Sequence, residues 1–190
     1  MQYPDGNRRL AAYQEQIAAL RGKMRQVRAE MEPQEVADYQ FASAAGPCSL
    51  AALFVTKDDL FVIHNMGAAC RYCTLWADGF NGLYPHIADR AAFAVSSPDP
   101  PAAQQTFAAG RGWRFPMVSH QGTGFAADMG YRAEDGGWLP GVSVFRRHGG
   151  RILRVADTGL RHGDDFCALW HFFDLLPDGA GDWQPRYSYA

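Results

Sequence analysis

The stretch from Leu60 to Phe80, LFVIHNMGAACRYCTLWADGF, contains the features that decide the fold. Its first five residues, Leu60–His64, are almost continuously apolar, which is typical of a short strand buried on both faces. Gly67 then indicates a loop, and a Cys-x-x-Cys pair follows at Cys70 and Cys73. The next seven residues favour a helix with apolar anchors. The sequence therefore predicts a buried strand, a loop and a helix that begins at a pair of cysteines.

A cysteine at the start of a helix has a lowered pKa. The first turn has unpaired backbone N–H groups and the positive end of the helix dipole, and both stabilise a thiolate. We therefore predict that Cys70 attacks a disulfide and that Cys73, about one turn further on, resolves the mixed disulfide. Arg71 either adds positive charge beside the Cys70 sulfur or points into solvent. The pair predicts thiol–disulfide chemistry.

Two other interpretations of the pair remain open. The cysteines are small core residues in the first, and in the second they bind zinc together with His64 and His86. No second Cys-x-x-Cys or His-x-x-x-His completes such a zinc site. Cys48 and Cys167 are isolated in the sequence, and a role in core packing is the better interpretation of both.

Strands and helices alternate along the rest of the chain, which predicts an α/β layered domain closed by a hairpin. The predicted strands are Tyr39–Phe41, Cys48–Leu50, Ala91–Ser96, Phe115–Ser119, Val142–Phe145 and Ile152–Val155, and the predicted helices are Ala102–Ala109, Phe125–Met129 and about Asp164–Leu176.

The N-terminal segment predicts one long helix, from about Asn7 to Glu32, which Pro33 ends. Apolar residues recur along it at alternating spacings of three and four, an a/d heptad stripe: Leu10, Tyr13, Ile17, Leu20, Met24, Val27 and Met31. Such a stripe needs a partner surface. Packing on the chain's own domain and packing against a second subunit are equally open, so a homodimer through this helix is one expectation.

Composition excludes several classes of protein. The chain has 190 residues, of which 47% are hydrophobic, and a formal net charge of -2, which argues against a nucleic-acid-binding surface. No stretch reaches the roughly 18 apolar residues of a membrane span. The first residues do not resemble a secretory signal, so we expect a cytoplasmic protein with reduced thiols.

The order of a hairpin, a strand, Cys-x-x-Cys, a helix and a Pro-led final hairpin resembles the thioredoxin superfamily. The extra strand and helix between residues 115 and 130 resemble its peroxiredoxin-like, alkyl-hydroperoxide-reductase-like branch. More narrowly, the chain is similar to a bacterial thioredoxin-like family known only as a domain of unknown function. The blocks that carry this likeness are His64–Gly67, Cys70–Gly82, Trp113–Pro116 and Gly141–Phe145.

The resemblance implies roles for individual residues. Cys70 and Cys73 match the redox pair of thioredoxins, and Tyr72 matches the tyrosine that glutaredoxins carry between their cysteines. Pro140 stands where thioredoxins hold a cis-proline facing the disulfide. His64, six residues before Cys70, takes the place of the buried acid that moves protons for the second cysteine. A strand-end histidine bonded to backbone is the alternative.

Two departures from the family patterns bear on function. Ala69 stands where thioredoxins usually have tryptophan, and the Pro-x-x-x-Thr-x-x-Cys signature of peroxiredoxins is absent from the sequence. We therefore expect a thiol–disulfide oxidoreductase that acts on a protein or small disulfide, with no cofactor. A thiol-dependent peroxidase and a non-enzymatic binding or sensing module are the alternatives.

The expected organisation has three parts. Residues 1–33 form a helical arm, residues 34–178 a thioredoxin-like domain of the peroxiredoxin-like type, and residues 179–190 a C-terminal tail. The central sheet is expected to be flanked by helices.

Overall fold

Eight strands, five α-helices and one short 3-10 helix (Ala52–Phe54) occur in residues 1–189, the part of the chain that this computed structural model describes. The strands are β1 (Gln34–Val36), β2 (Gln40–Ser43), β3 (Gly46–Ser49), β4 (Asp59–His64), β5 (Ala92–Ser97), β6 (Met117–Ser119), β7 (Gly141–His148) and β8 (Arg151–Gly159). The helices are α1 (Tyr3–Glu30), α2 (Arg71–Arg90), α3 (Pro101–Arg111), α4 (Phe125–Asp128) and α5 (Ala168–Phe173). The α/β architecture is as predicted.

The strands form one mixed sheet in the order β1-β8-β7-β4-β5-β6-β2-β3. The central strands β4, β5 and β6 run parallel, joined by helical crossovers, whereas β7 pairs antiparallel with β4. At the carboxyl end of β4, His64 lies between Ser96 of β5 and Gly141 of β7. Because ligands and reactive groups gather at the carboxyl ends of parallel strands, this edge is where a site is expected.

Alternate residues of the central strands enter two separate cores, because successive side chains of a strand point to opposite faces. Leu60 and Val62 belong to the first core, with Phe125 of α4 and Phe145 of β7. The second core lies on the other face and contains Ile63 of β4. This second core also includes Trp76, Ala77 and Phe80, which are buried apolar residues of the α2 helix. The α2 helix therefore covers one face of the sheet only.

The N-terminal residues Met1–Gln34 form a compact unit of their own, and a second unit begins at Glu35. The first unit consists chiefly of α1, 28 residues long, so the predicted N-terminal helix is confirmed. It starts four residues earlier than the apolar pattern indicated. Pro4 lies in the first turn of α1. Backbone N–H groups in a first turn have no partner within the helix, so proline, which lacks this group, loses no hydrogen bond there, and its fixed φ suits a helix.

The α2 helix continues for 20 residues, beyond the short helix predicted after Cys73, although Pro85 lies inside it. A proline inside a helix cannot donate to the carbonyl four residues earlier, which here belongs to Asn81. Arg114 supplies the missing donor: its Nη2 lies 2.8 Å from the Asn81 oxygen. This contact from outside the helix satisfies the carbonyl that Pro85 leaves unpaired.

The predicted C-terminal helix over residues 164–176 was wrong in extent, since only Ala168–Phe173 are helical. The Asp164 carboxylate accepts backbone N–H bonds from Phe166 and Cys167 and closes a turn before the helix. Trp170 is buried, whereas Phe166 and Leu176 are 42% and 52% exposed. The predicted apolar face is therefore interrupted by local turns.

Candidate active site

The loop that joins β4 to α2 places Cys70 at the start of α2. Cys70 is the N-cap residue, and its Sγ accepts the backbone N–H of Cys73 at 3.1 Å. Cys70 is partly buried and Cys73 is buried, and both are free thiols. The arrangement predicted from the sequence, a Cys-x-x-Cys pair opening a helix after a buried strand, is present.

The pKa values of the two thiols are shifted in opposite directions. A hydrogen bond from the Cys73 side chain lowers the pKa of Cys70 to about 6, helped by the N–H groups of Cys73 and Tyr72 and opposed by burial. The same hydrogen bond, together with burial and the nearby Cys70 charge, raises the pKa of Cys73. At neutral pH Cys70 is therefore mainly a thiolate and Cys73 keeps its proton. This polarity suits an attacking and a resolving thiol.

A carboxylate from the next strand–helix connection holds the loop before Cys70. The Asp99 Oδ2 accepts the N–H of Ala68 at 2.7 Å, and the Asn65 side chain accepts the N–H of Gly67 at 2.8 Å. Gly67 has φ +103°, and a Cβ there would lie 3.0 Å from the Asp99 carboxylate oxygens. The role of Asp99 was not predicted from the sequence. Its only signal was a lone acid between two prolines after a buried strand.

The C-terminal segment contacts both residues between the cysteines. Arg71 Nη2 donates to Gln184 Oε1 at 3.1 Å, and the Tyr72 ring lies over His162 with centroids 4.1 Å apart. Trp170 packs beside them, 6.2 Å from the Tyr72 ring. Arg71 is exposed and is not among the causes that lower the pKa of Cys70. Hydrogen bonds, rather than the Arg71 charge, therefore lower the pKa of Cys70.

His64 lies on the face of the sheet opposite α2. Its ring stacks on Tyr131 and Phe125 of the first core, with centroids 3.8 Å and 5.1 Å away. Its Nε2 shares a hydrogen bond with Ser143 Oγ at 2.9 Å, a side-chain partner rather than the backbone group considered above. The structure does not bring His64 into the hydrogen bonds around the thiols, and its role in moving a proton for Cys73 stays a prediction.

A second buried histidine, His120, lies near His64 at this edge of the sheet. Its Nδ1 shares a hydrogen bond with Ser96 Oγ at 2.8 Å, while its Nε2 and the Nδ1 of His64 have no hydrogen-bond partner. Burial lowers the pKa of His120 to about 4, and the charge of Arg132 adds to this shift. Burial also lowers the pKa of His64, with a further contribution from His120. Both rings are therefore neutral at pH 7.

Pro140 precedes β7 with a trans peptide bond, since no peptide bond among residues 1–189 is cis. The expectation of a cis-proline was therefore wrong. The trans form is the ordinary preference of an X–Pro bond. The Pro140 carbonyl accepts the N–H of Leu160 at 3.0 Å, which ties the start of β7 to the end of β8.

Within residues 1–189, no group of three or more His, Cys, Asp and Glu side chains is arranged to hold a metal ion. The four residues considered for zinc, which included His86, therefore do not form such a group. None of the helices in that range has the length and apolar character to cross a membrane.

Known structures with a similar fold include peroxiredoxins. Peroxidoxin BcpB from Mycobacterium tuberculosis has a TM-score of 0.52 and 26% identity, over 72% of this chain and 88% of that protein. Peroxiredoxin Q from Xanthomonas campestris has a TM-score of 0.53 and 19% identity, over 64% and 80%. Peroxiredoxin Q from Xylella fastidiosa has a TM-score of 0.52 and 14% identity, over 67% and 84%.

These likenesses confirm the thioredoxin-like fold of the peroxiredoxin type. A comparison with proteins of curated function returned no match. The sequence model of one family matches residues 3–189, nearly the whole chain. The chain therefore belongs to the family described as bacterial protein of unknown function, DUF899.

Proposed function

We propose that the protein is a thiol–disulfide oxidoreductase with Cys70 as the attacking thiolate and Cys73 as the resolving thiol. The observation that carries this proposal is the position of Cys70 Sγ at the N-cap of α2, where it accepts the Cys73 N–H. A pKa of about 6 keeps Cys70 ionised, and therefore nucleophilic, at neutral pH.

The reaction has two exchange steps. The Cys70 thiolate attacks one sulfur of a substrate disulfide, a Cys70–substrate disulfide forms, and the other sulfur leaves as a thiolate that takes up a proton. Cys73 then loses its proton to solvent and attacks the Cys70 sulfur. The Cys70–Cys73 disulfide forms and the second substrate thiol is released. An external dithiol reduces the pair again, so two electrons pass from that dithiol to the substrate.

The test is a dithiol-driven assay on a disulfide reporter, with single serine variants compared with the wild type. We expect Cys70→Ser to abolish turnover and Cys73→Ser to accumulate a mixed disulfide with the reporter, seen by mass spectrometry. Cys48→Ser is the matched control, because Cys48 lies in β3 and packs against the first core, on the face of the sheet opposite α2. Wild-type turnover by the Cys70→Ser variant would overturn the proposal.

Peroxide reduction is the second candidate, favoured by the peroxiredoxin fold. The Cys70 thiolate would take one oxygen from hydrogen peroxide, giving a sulfenic acid and, after protonation, water. Cys73 would then condense with the sulfenic acid to a disulfide and a second water. Peroxide consumption with a thiol donor, faster than disulfide reduction, would favour this candidate. Thiols inert in both assays would favour a non-enzymatic module.

A further inference from the structure

The α1 helix has an apolar stripe with no buried residue. The helix is 28 residues long, and none of its side chains is buried. Along the stripe, exposure ranges from 47% at Ile17 to 59% at Leu10. The spacings of three and four define heptad positions, with Leu10, Ile17 and Met24 at position a. Amphipathic helices gain most of their stability by burying such a face.

We propose that the α1 helices of two copies of this chain form an antiparallel coiled coil. In this pair, a two-fold axis lies between Ile17 and Leu20. It places Ile17 of each copy opposite Leu20 of the other copy. The same axis pairs Leu10 with Val27 and Tyr13 with Met24. Each position a thus faces a position d, the arrangement that an antiparallel pair requires.

Charges beside the stripe select the antiparallel orientation. In a parallel pair, position g of one helix approaches position e of the other five residues later, which brings Lys23 against Arg28 twice. In the antiparallel pair, position g approaches position g. Arg9 then meets Glu30 of the second copy, and by symmetry Glu30 meets the second Arg9. Two repulsive contacts are replaced by two attractive ones.

The charges also select the register. A shift of one heptad in one direction brings Arg9 against Lys23, and a shift in the other direction brings Arg21 of one helix against Arg21 of the second. Either shift also removes apolar layers. Of these three registers, only the one centred between Ile17 and Leu20 has no pair of like charges. This complementarity of the stripe with itself is the reason for choosing a second copy over a different partner.

The test measures the dimer dissociation constant of the full-length protein by analytical ultracentrifugation. We expect Glu30→Lys and Arg9→Glu each to raise that constant at least fivefold at low salt, since each removes both attractive contacts. The double variant, with the charges exchanged, should return to within twofold of the wild type. Glu15→Lys is the matched control, because position f points away from the partner.

Leu20→Glu tests the apolar layers and should leave only monomer, with the helical circular dichroism of the second unit retained. Wild-type affinity should fall as salt rises, because the flanking contacts are attractive. A monomeric wild type at 100 µM would overturn the proposal. So would a dimer that the single charge variants leave unchanged, or one that tightens with salt. The disulfide reporter assay is independent of these outcomes, so failure here leaves the proposed function untouched.

Discussion

The backbone N–H of Cys73 donates to Sγ of Cys70 over 3.1 Å, so the side chain of Cys70 caps the first turn of α2. The cap exists because Cys70 is the last non-helical residue before α2. A sulfur at this place satisfies an otherwise unpaired N–H and is itself stabilised as an anion. The geometry of the helix start therefore adds to the effect of the Cys73 thiol in lowering the pKa of Cys70.

Alkylation of Cys70 should follow a titration with a midpoint near pH 6, since its pKa is lowered to about 6. About nine-tenths of Cys70 is then thiolate at pH 7. Iodoacetamide labelling followed by peptide mass spectrometry gives the rate at each cysteine separately. Cys48, whose pKa burial raises, is the internal control and should stay slow at pH 7. A Cys70 midpoint above pH 8 would contradict the assignment of Cys70 as the thiolate of the pair.

Asp99→Ala should slow disulfide reduction and raise the pKa of Cys70, because the Ala68 N–H loses its acceptor and the loop before Cys70 is no longer fixed. Loss of a hydrogen bond to a charged group should also cost about 1.5–3 kcal/mol in the free energy of unfolding. Asp99→Asn keeps an acceptor oxygen and should restore most of the rate.

Glu134→Ala is the matched control for Asp99, since Glu134 is an exposed acid outside this loop. A Cys70 alkylation midpoint that does not move in Asp99→Ala would show that the loop does not set the acidity of the thiol.

Acid should destabilise the fold between pH 6.5 and pH 4 through His120. Its pKa is about 4 in the fold and about 6.5 in the unfolded chain, so between these values the unfolded state binds the additional proton. The contribution of His120 is complete above pH 6.5 and lost by pH 4, a change of about 3 kcal/mol. Urea unfolding at several pH values measures it.

In those experiments His120→Gln should reduce the slope of stability against pH by up to about 1.4 kcal/mol per pH unit, the value for one proton. His148→Gln, at the exposed end of β7, is the matched control. An unchanged slope in His120→Gln would mean that His120 is already accessible to protons in the fold.

Gly141→Ala should destabilise the protein because the new methyl group would overlap the Tyr131 ring. That ring is buried and stacks on His64, so it has no space to move into. Overpacking of this kind costs about 1–3 kcal/mol or more. Gly159 is the matched control: it pairs with Gly141 across β7 and β8, yet its Cβ would meet only one atom, at 4.0 Å. Equal stability of the two alanine variants would contradict this packing.

The position of Cys70 and Cys73 at the start of α2 was predictable because it rests on neighbours in sequence: a buried strand, a turn and the first turn of a helix. The face of the sheet on which His64 lies could not be predicted. The apolar run of β4 is continuous, so no alternation of polar and apolar residues shows which side chains point to which face. Asp99 is 31 residues from Ala68, and only the pairing of β4 with β5 brings their loops together.

The C-terminal error has a different physical origin. Helical spacing of apolar residues between 164 and 176 suggested one long amphipathic helix. Asp164 instead accepts N–H groups with its side chain, a competition with helix formation that acidic residues often win near a helix start. His162, Trp170 and Gln184 then approach Tyr72 and Arg71 through contacts of long sequence separation, for which the chain has no local pattern.

The most direct measurement is an equilibrium titration of Cys70 and Cys73 in glutathione or dithiothreitol redox buffers, with the oxidised fraction read by alkylation and mass spectrometry. We predict a reversible two-electron transition between about −270 and −120 mV, the range of dithiol enzymes, with the disulfide joining Cys70 to Cys73. Two thiols that never pair across this range, or that oxidise only to separate adducts with glutathione, would contradict the assignment of this site.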